Sequence, residues 1–115
     1  MTKGKIVLVP FPFDDLSATK VRPAACLTNP VGQHRHVVLA FISSRIPTDA
    51  VDTDLTLDAS QPDFSITGLQ VTSTLRLHRL MTVATVLIQR ELGALSPRMQ
   101  SEANNKLKTL FALSD

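Results

Sequence analysis

The sequence predicts a mainly β fold, a small and strongly curved antiparallel sheet or half-open barrel with one C-terminal α-helix packed on it. Three observations favour this class. Short β-rich apolar runs recur along residues 5–92, turn residues separate them, and only residues 97–113 carry apolar positions at helical spacing. With 115 residues, 43% of them hydrophobic, the chain is expected to form one domain over residues 1–115.

The first half of the chain contains four predicted strands. Residues 5–9 form an apolar run, and the prolines that follow at 10 and 12 are expected to end it at or near a sheet edge. Residues 22–27 form the second strand and stop at a turn. Residues 36–42 are apolar from Val37 onward, which predicts burial on both faces, whereas residues 52–57 alternate and predict a half-buried strand.

The second half contains shorter strands and the helix. Residues 68–77 and 80–83 are predicted as two further strands, and residues 87–92 fit either a strand or a helical turn. Ser96 can cap a helix over residues 97–113, and Pro97 suits its first position. The expected core includes Val7, Leu27, Leu39 and Phe41.

Charge is distributed unevenly, although the net charge of +2 is too small to identify a partner. Residues 16–48 and 64–90 contain basic side chains and no acid, whereas no Lys or Arg occurs between residues 46 and 75. If the two basic tracts fold side by side, they form a cationic face suited to a polyanion. The alternative is solvated charge that folding spreads evenly over the surface.

Several classes of protein are not indicated. The single Cys26 cannot form an internal disulfide, and its apolar neighbours predict a small buried side chain in a reducing compartment, by default the cytoplasm. No apolar run approaches the ~18 residues of a membrane span, so no membrane association is expected. His34 and His36 share a strand face but lack further ligands at a suitable spacing, so neither a metal site nor a cofactor is expected.

Four local patterns together resemble the MazF/PemK family of toxins from type II toxin–antitoxin modules. They are VLVPFPF at residues 7–13, KVRPA at 20–24, Gly68-Leu69 followed by Ser73 and Arg76, and LGALS at 92–96. The resemblance covers nearly the whole chain. It implies a small SH3-like barrel of the MazF/CcdB type, a homodimer, a cognate antitoxin, and metal-independent cleavage of single-stranded RNA.

The resemblance also implies a set of catalytic residues. Arg22 matches the principal catalytic arginine of the family, and its guanidinium donors fit a phosphate. Ser43 matches a hydroxyl residue that hydrogen-bonds the scissile phosphate. Many members carry Arg-x-Asp where this chain has Arg76-Leu77-His78, so His78 replaces a carboxylate. Histidine is competent for proton transfer near neutral pH, and strand alternation places residues 76 and 78 on one face.

A second set of residues is expected to bind RNA without taking part in the chemistry. Phe11 and Phe13 could stack on bases, although at least one of them is expected in the core, so affinity is expected to depend mainly on Arg, Lys and backbone contacts. The set is Phe13, Ser17, Lys20, Ser44, Arg45 and Arg79.

Other functions remain open from the residues alone. A related toxin of the CcdB type binds DNA gyrase and is not a nuclease, although Arg22 and Ser43 disfavour this class. An adaptor for proline-rich peptides is disfavoured because the chain has no Trp or Tyr. A member with decayed activity is kept open by His78 and by Met81-Thr82-Val83-Ala84, where other members carry Arg-Thr-Ile-Asp.

Overall fold

The computed structural model describes residues 2–11 and 20–114, which form six strands and one α-helix. Short 3₁₀ turns precede the fifth and sixth strands, at Phe64–Thr67 and Thr85–Leu87. The main elements are β1 (Lys5–Phe11), β2 (Lys20–Cys26), β3 (His36–Ser43), β4 (Asp54–Leu57), β5 (Ser73–Ala84), β6 (Arg90–Ala94) and α1 (Pro97–Leu110).

The strands form one antiparallel sheet in the order β4-β5-β3-β2-β1-β6, curled into a half-barrel. The mainly β fold with a C-terminal helix is therefore confirmed. The expectation for β1 is wrong in detail, because β1 lies between β2 and β6 and continues through Pro10 to Phe11. Pro10 is tolerated because it lies beyond Leu8, the last residue of β1 that pairs with β6, so only the β2 ladder remains there.

Both faces of the sheet carry buried apolar clusters. The first cluster lies under α1 and includes Ile6, Ala40 and Ile42, whereas the second includes Val7 and Leu39. Alternation along a strand sends successive side chains to opposite faces, so β3 contributes to both clusters as the sequence predicted. In the second cluster Cys26 is 1% exposed, and burial raises the pKa of its thiol to about 11.

Two expected core residues are less buried than predicted. Val7 and Leu39 are fully buried, whereas Leu27 and Phe41 only pack on the clusters from positions of intermediate exposure. Leu27 follows the end of β2. The Phe41 side chain borders the pocket described below, which keeps part of its ring accessible.

The two strands predicted over residues 68–77 and 80–83 are one long strand, β5. Its pairing with β3 changes register between Phe41, which lies opposite Arg76, and Ala40, which lies opposite Leu80. Three residues, 77–79, are therefore extra on the β5 side and form a bulge. A bulge bends its strand and re-aims the side chains that it carries.

Residues 68–72 are not a strand, because Gly68 ends the first 3₁₀ turn with φ of 73°. That turn packs on β6 backbone to backbone. A Cβ at Gly68 would lie 2.1 Å from the Leu92 carbonyl oxygen, and one at Gly93 would lie 2.3 Å from the Ile66 carbonyl oxygen. Glycine is needed at both positions for steric reasons. Residues 87–92, for which strand and helical turn were both open, contain the end of the second 3₁₀ turn and the start of β6.

Helix α1 begins as the sequence predicts. Ser96 Oγ accepts a hydrogen bond of 3.1 Å from the Met99 amide, and Pro97 occupies the first turn. The helix ends at Leu110 rather than Leu113, because the backbone turns at Ala112, whose φ is 54°.

Candidate functional site

A cationic pocket of about 350 Å³ opens where β2, β3 and the β5 bulge meet. Nine of the described residues line it. Five of the nine are cations, and no described carboxylate belongs to the lining. The lining consists of Lys20, Arg22, Phe41, Ser43, Ser44, Arg45, Pro47, Arg76 and Arg79.

Sheet register explains why these side chains converge. Ala24 lies opposite Phe41, Phe41 opposite Arg76, and Arg76 opposite Asp54, so this row crosses four strands. Directly opposed residues of an antiparallel pair project to the same side, so the whole row shares one face. Residues two positions further along each strand share that face as well, which places Arg22 and Ser43 beside the row.

The mouth of the pocket forms because β2 extends past its pairing with β3. Only Ala24 to Cys26 pair with β3, so Lys20 and Arg22 lie on a part of β2 that is paired with β1 alone. No described carboxylate forms an ion pair with Lys20, Arg22 or Arg45. The two basic tracts of the sequence therefore do meet, and their charges concentrate at one place.

The β5 bulge contributes the fifth cation. The guanidinium carbon of Arg79 lies 5.5 Å from the centroid of the Phe41 ring, in the geometry of a cation–π contact. Sequence reasoning did not anticipate Phe41 in the site, because its apolar neighbours indicate only a core strand. The register that turns its ring toward Arg79 depends on pairing that is distant in sequence.

Arg76 differs from the other cations of the pocket because carboxylates hold it. Its Nε donates to Asp54 Oδ1 at 3.1 Å and its Nη2 to Asp54 Oδ2 at 3.3 Å. Its Nη1 donates to Asp49 Oδ1 at 2.9 Å, and its Nη2 also donates to the Asp49 carbonyl at 3.1 Å. These contacts use four of the five N–H donors of a guanidinium and leave one. The hydrogen bonds to Asp54 raise the pKa of Arg76, and the one from Arg76 lowers the pKa of Asp49.

His78 is outside the lining of the pocket. Its side chain is 32% exposed, and its Nδ1 lies 3.9 Å from Asp54 Oδ1, the oxygen that also accepts from Arg76 Nε. Arg76 and His78 therefore meet at one carboxylate, that of Asp54. The sequence indicated the shared face of residues 76 and 78 but not this third member, which comes from β4.

Ser43 takes part in a local turn at the end of β3. Its Oγ accepts a hydrogen bond of 3.2 Å from the Arg45 amide and lies 3.3 Å from the Arg45 carbonyl, to which it donates. This is the turn-forming arrangement that a hydroxyl adopts at a strand end. Ser44 and Arg45 follow it and are both exposed at the pocket.

Two of the predicted RNA-binding residues, Phe13 and Ser17, lie outside the described residues. The other four, Lys20, Ser44, Arg45 and Arg79, all line the cationic pocket. Within residues 2–11 and 20–114, no group of three or more His, Cys, Asp or Glu side chains is arranged to hold a metal ion. In the same part of the chain, no helix has the length and apolar character needed to cross a membrane.

An apolar groove of about 390 Å³ adjoins the pocket and shares Ser44 with it. Its walls come from β1, β2, β6 and the segment between the first 3₁₀ turn and β5. They include Leu8, Pro23, Gly68, Leu69, Gln70, Val71, Ser73, Arg90 and Leu92.

Solved structures with the same fold include toxins and an endoribonuclease. The Mycobacterium tuberculosis toxin MazF-mt6 has a TM-score of 0.73 and 18% identity, with 96% of this chain and 99% of that chain covered. An endoribonuclease in complex with its cognate antitoxin from a mycobacterial species has a TM-score of 0.71 and 14% identity, with 100% and 98% covered. At these identities the likeness shows the fold alone.

A MazE–MazF complex from Deinococcus radiodurans has a TM-score of 0.70 and 18% identity, with 99% of this chain and 97% of that chain covered. No curated protein sequence matches the chain. The sequence model of the PemK-like, MazF-like toxins matches residues 2–111, nearly the full length. The chain, with its half-barrel, its helix and its cationic pocket, belongs to this family of toxins of type II toxin–antitoxin systems.

Proposed function

We propose that this protein is a metal-independent endoribonuclease that cleaves single-stranded RNA and acts as the toxin of its toxin–antitoxin pair. The observation that carries the proposal is the cationic pocket, in which five cations and no described acid line about 350 Å³. A concentration of positive charge of this kind favours a phosphodiester over a neutral or cationic ligand.

The reaction requires only groups that proteins supply. The RNA 2′-oxygen attacks the adjacent phosphorus and loses its proton to a base, the bond from phosphorus to the 5′-oxygen breaks, and an acid protonates that oxygen. The products are a 2′,3′-cyclic phosphate and a 5′-hydroxyl. Extra negative charge develops on the phosphoryl oxygens in the transition state, and fixed cations stabilise it.

The residues divide this work as follows. Arg22, half-buried on β2 and without a described carboxylate partner, stabilises the developing charge. Ser43 donates to a phosphoryl oxygen once its weak bond to the Arg45 carbonyl is given up. Arg76 offers its one remaining N–H. His78, beside Asp54 at the edge of the site, transfers a proton.

The flanking nucleotides bind around this centre. Lys20, Arg45 and Arg79 contact neighbouring phosphates, and Ser44 lies where the pocket joins the apolar groove. The groove offers leucine, valine and proline surface to a nucleobase next to the scissile phosphate. Phe13 and Ser17 complete the binding set as proposed from the sequence.

Assembly and regulation follow the family. The protein acts in the cytoplasm as a homodimer, whose two-fold axis extends the shallow pockets into one groove long enough for several nucleotides. Its antitoxin carries a flexible acidic and apolar segment that folds over the pocket on binding and excludes RNA. Two of the structural relatives above are complexes with antitoxins, which supports the existence of such a partner.

The test is incubation of the purified protein with a defined single-stranded RNA, with and without EDTA, followed by analysis of the product ends. We expect cleavage that EDTA does not change, with cyclic phosphate and 5′-hydroxyl termini. Cleavage lost on chelation contradicts the metal-independent scheme. Intact RNA together with binding to DNA gyrase indicates the CcdB type of toxin instead, and intact RNA that still binds indicates a member with decayed activity.

A further inference from the structure

Residues 44–50, the first part of the segment between β3 and β4, form one wall of the cationic pocket and are called the strap here. It contributes Ser44, Arg45 and Pro47 to the lining. It has no regular secondary structure, and all of its residues are exposed except Pro47, which is intermediate. The Ile46 side chain at its middle is 91% exposed.

Little of the strap is buried against the sheet, because all of its residues but Pro47 are exposed. A second cavity, of about 270 Å³, is lined by Arg45, Ile46, Pro47 and Ala50 of the strap and by Asp54, Thr56, Thr72 and Thr74. Apolar packing therefore contributes little to its position. A loop with few buried contacts opens at little cost in free energy unless polar contacts hold it.

Polar contacts hold the strap at both ends. At its start, Ser43 Oγ accepts from the Arg45 amide. At its end, Asp49 is bound to Arg76 through both its carboxylate and its carbonyl. Asp54 completes this end, because its Oδ2 accepts from the Val51 amide at 3.1 Å as well as from Arg76.

The two carboxylates at this end have different environments. The Asp54 side chain is 9% exposed and lies beside an Arg76 side chain that is 6% exposed, so this ion pair is buried and is called the anchor here. The Asp49 side chain is 76% exposed and joins the anchor from the strap. Since most of the Arg76 donors bond to these two acids, the main role of the guanidinium is to hold the strap rather than to bind a ligand.

We infer that Asp54 and Asp49 are positioning residues, which act through Arg76 to fix the strap and so hold Arg45 and Ser44 at the pocket in the orientation that binds a phosphodiester. The inference rests on the proposed function for the identity of the ligand. It assigns a role to two acids next to a site that binds an anion, where charge alone makes an acid unfavourable.

Charge alone and positioning predict opposite changes in RNA affinity when such an acid is replaced, and this difference provides the test. Replacing an acid near an anion site by its amide tightens anion binding if charge alone acts. If Asp49 positions the strap, Asp49→Asn instead weakens binding, because the strap must then be ordered when RNA binds. We expect about fivefold weaker binding, the cost of ordering one long side chain. Asp52→Asn is the matched control, since Asp52 is exposed nearby and its carboxylate takes no part in the Arg76 network.

The measurements are the affinity for a single-stranded RNA with 2′-deoxy substitution at the cleavage site, and amide hydrogen exchange of residues 44–54 in the free protein. We expect Asp52→Asn to bind unchanged or up to about twofold tighter. Asp49→Asn should bind more weakly and exchange faster over residues 44–54, and Asp49→Glu should restore most of the affinity. In an Arg45→Ala background, Asp49→Asn should cause a smaller further loss than in the wild type, because one of the two residues that it positions is gone.

Tighter binding by Asp49→Asn, or unchanged exchange over residues 44–54, overturns the inference. Asp54→Ala should have a larger effect than Asp49→Asn on exchange. If that variant does not fold, Asp49→Asn still decides the question. If the wild-type protein binds no RNA, the proposed function fails, while the exchange experiment alone still shows whether the two acids hold the strap.

Discussion

Charge is arranged in opposite ways at the start of α1, called the helix end here, and at the cationic pocket, called the pocket end. At the helix end, Arg98 donates from Nη2 to Asp63 Oδ1 at 2.9 Å and from Nη1 to Glu102 at 3.0 Å, and Ser96 Oγ donates to Asp63 Oδ2 at 2.6 Å. At the pocket end, Lys20, Arg22 and Arg45 have no described carboxylate partner. Compensated charge at the helix end fastens the start of α1 to Asp63, which immediately precedes the first 3₁₀ turn. The charge concentrated at the other end repels itself and is relieved when an anion binds.

The largest expected effect comes from removing one cation at the pocket end. Arg22→Ala should lower the RNA cleavage rate by at least about a hundredfold, because the guanidinium stabilises charge that develops in the transition state. The midpoint of thermal unfolding should not fall, since a repulsive neighbour has been removed. Cleavage assays and calorimetry on the same preparation measure both quantities.

Arg98→Ala is the matched variant at the helix end, with the same change in charge and side chain. It should retain cleavage and lose stability, because Asp63 and Glu102 lose their partner. If both variants lose activity and stability to similar extents, the two ends do not differ as described.

The next effect concerns the backbone contact that joins the first 3₁₀ turn to β6. Gly93→Ala should lower the free energy of unfolding by about 3 kcal/mol, because the new methyl group meets the Ile66 carbonyl and must push two backbones apart. Chemical denaturation measures the change. Gly32→Ser is a suitable control, since a Cβ there meets nothing within 4 Å, although its φ of 78° adds some strain. If Gly93→Ala lowers the free energy of unfolding no more than Gly32→Ser does, the steric explanation is wrong.

A smaller effect is expected at the edge of the pocket. His78→Ala should lower the cleavage rate by about tenfold to a hundredfold and change the pH dependence of the rate, because in the proposed mechanism the imidazole transfers a proton. His78→Asp should retain activity with an altered pH–rate profile, because a carboxyl group then takes the place of the imidazole. A pH–rate profile that His78→Ala leaves unaltered shows that the histidine has no part in the chemistry.

The smallest effect is a contribution of Asp63 to stability that is lost only in acid. Hydrogen bonds from Arg98 and Ser96 lower the pKa of Asp63 from 3.8 to about 2 in the folded protein. A lowered pKa stabilises the fold above the unfolded value, and this contribution disappears as the pH falls through the folded value. Asp63→Asn should therefore be less stable than wild type near pH 5, with the difference shrinking toward pH 2. A difference that does not change over this range excludes the linkage.

Local signals in the sequence predicted much of this molecule. Ser96 and Pro97 specify a helix start by hydrogen bonding and fixed φ, which are properties of neighbouring residues. The two acid-free tracts indicated a cationic face only on the condition that they fold side by side, and the pairing of β3 with β5 meets that condition. The β3 run predicted burial on both faces, because only an interior strand needs apolar residues at successive positions.

Features that depend on distant pairing were not predictable. The β5 bulge follows from the register between β3 and β5, to which no single residue contributes a recognisable signal. The Asp54–Arg76 pair requires that β4 join β5 at one register and no other. Arg76 was therefore predicted as a cation for the substrate, whereas its two acid partners remained unassigned among the acids of residues 49–63.

The three extra residues of the bulge have a consequence for how this site can change during evolution. If residues 77–79 were omitted, Arg76 and Leu80 would become neighbours and would still face opposite sides of the sheet, opposite Phe41 and Ala40. The bulge therefore leaves the alternation of side chains between the two faces unchanged on either side of it, so both cores keep their residues. Leu77 is fully buried and anchors the bulge, whereas His78 and Arg79 are not buried, so substitutions at 78 and 79 would change the chemistry at the pocket and its edge without disturbing either core.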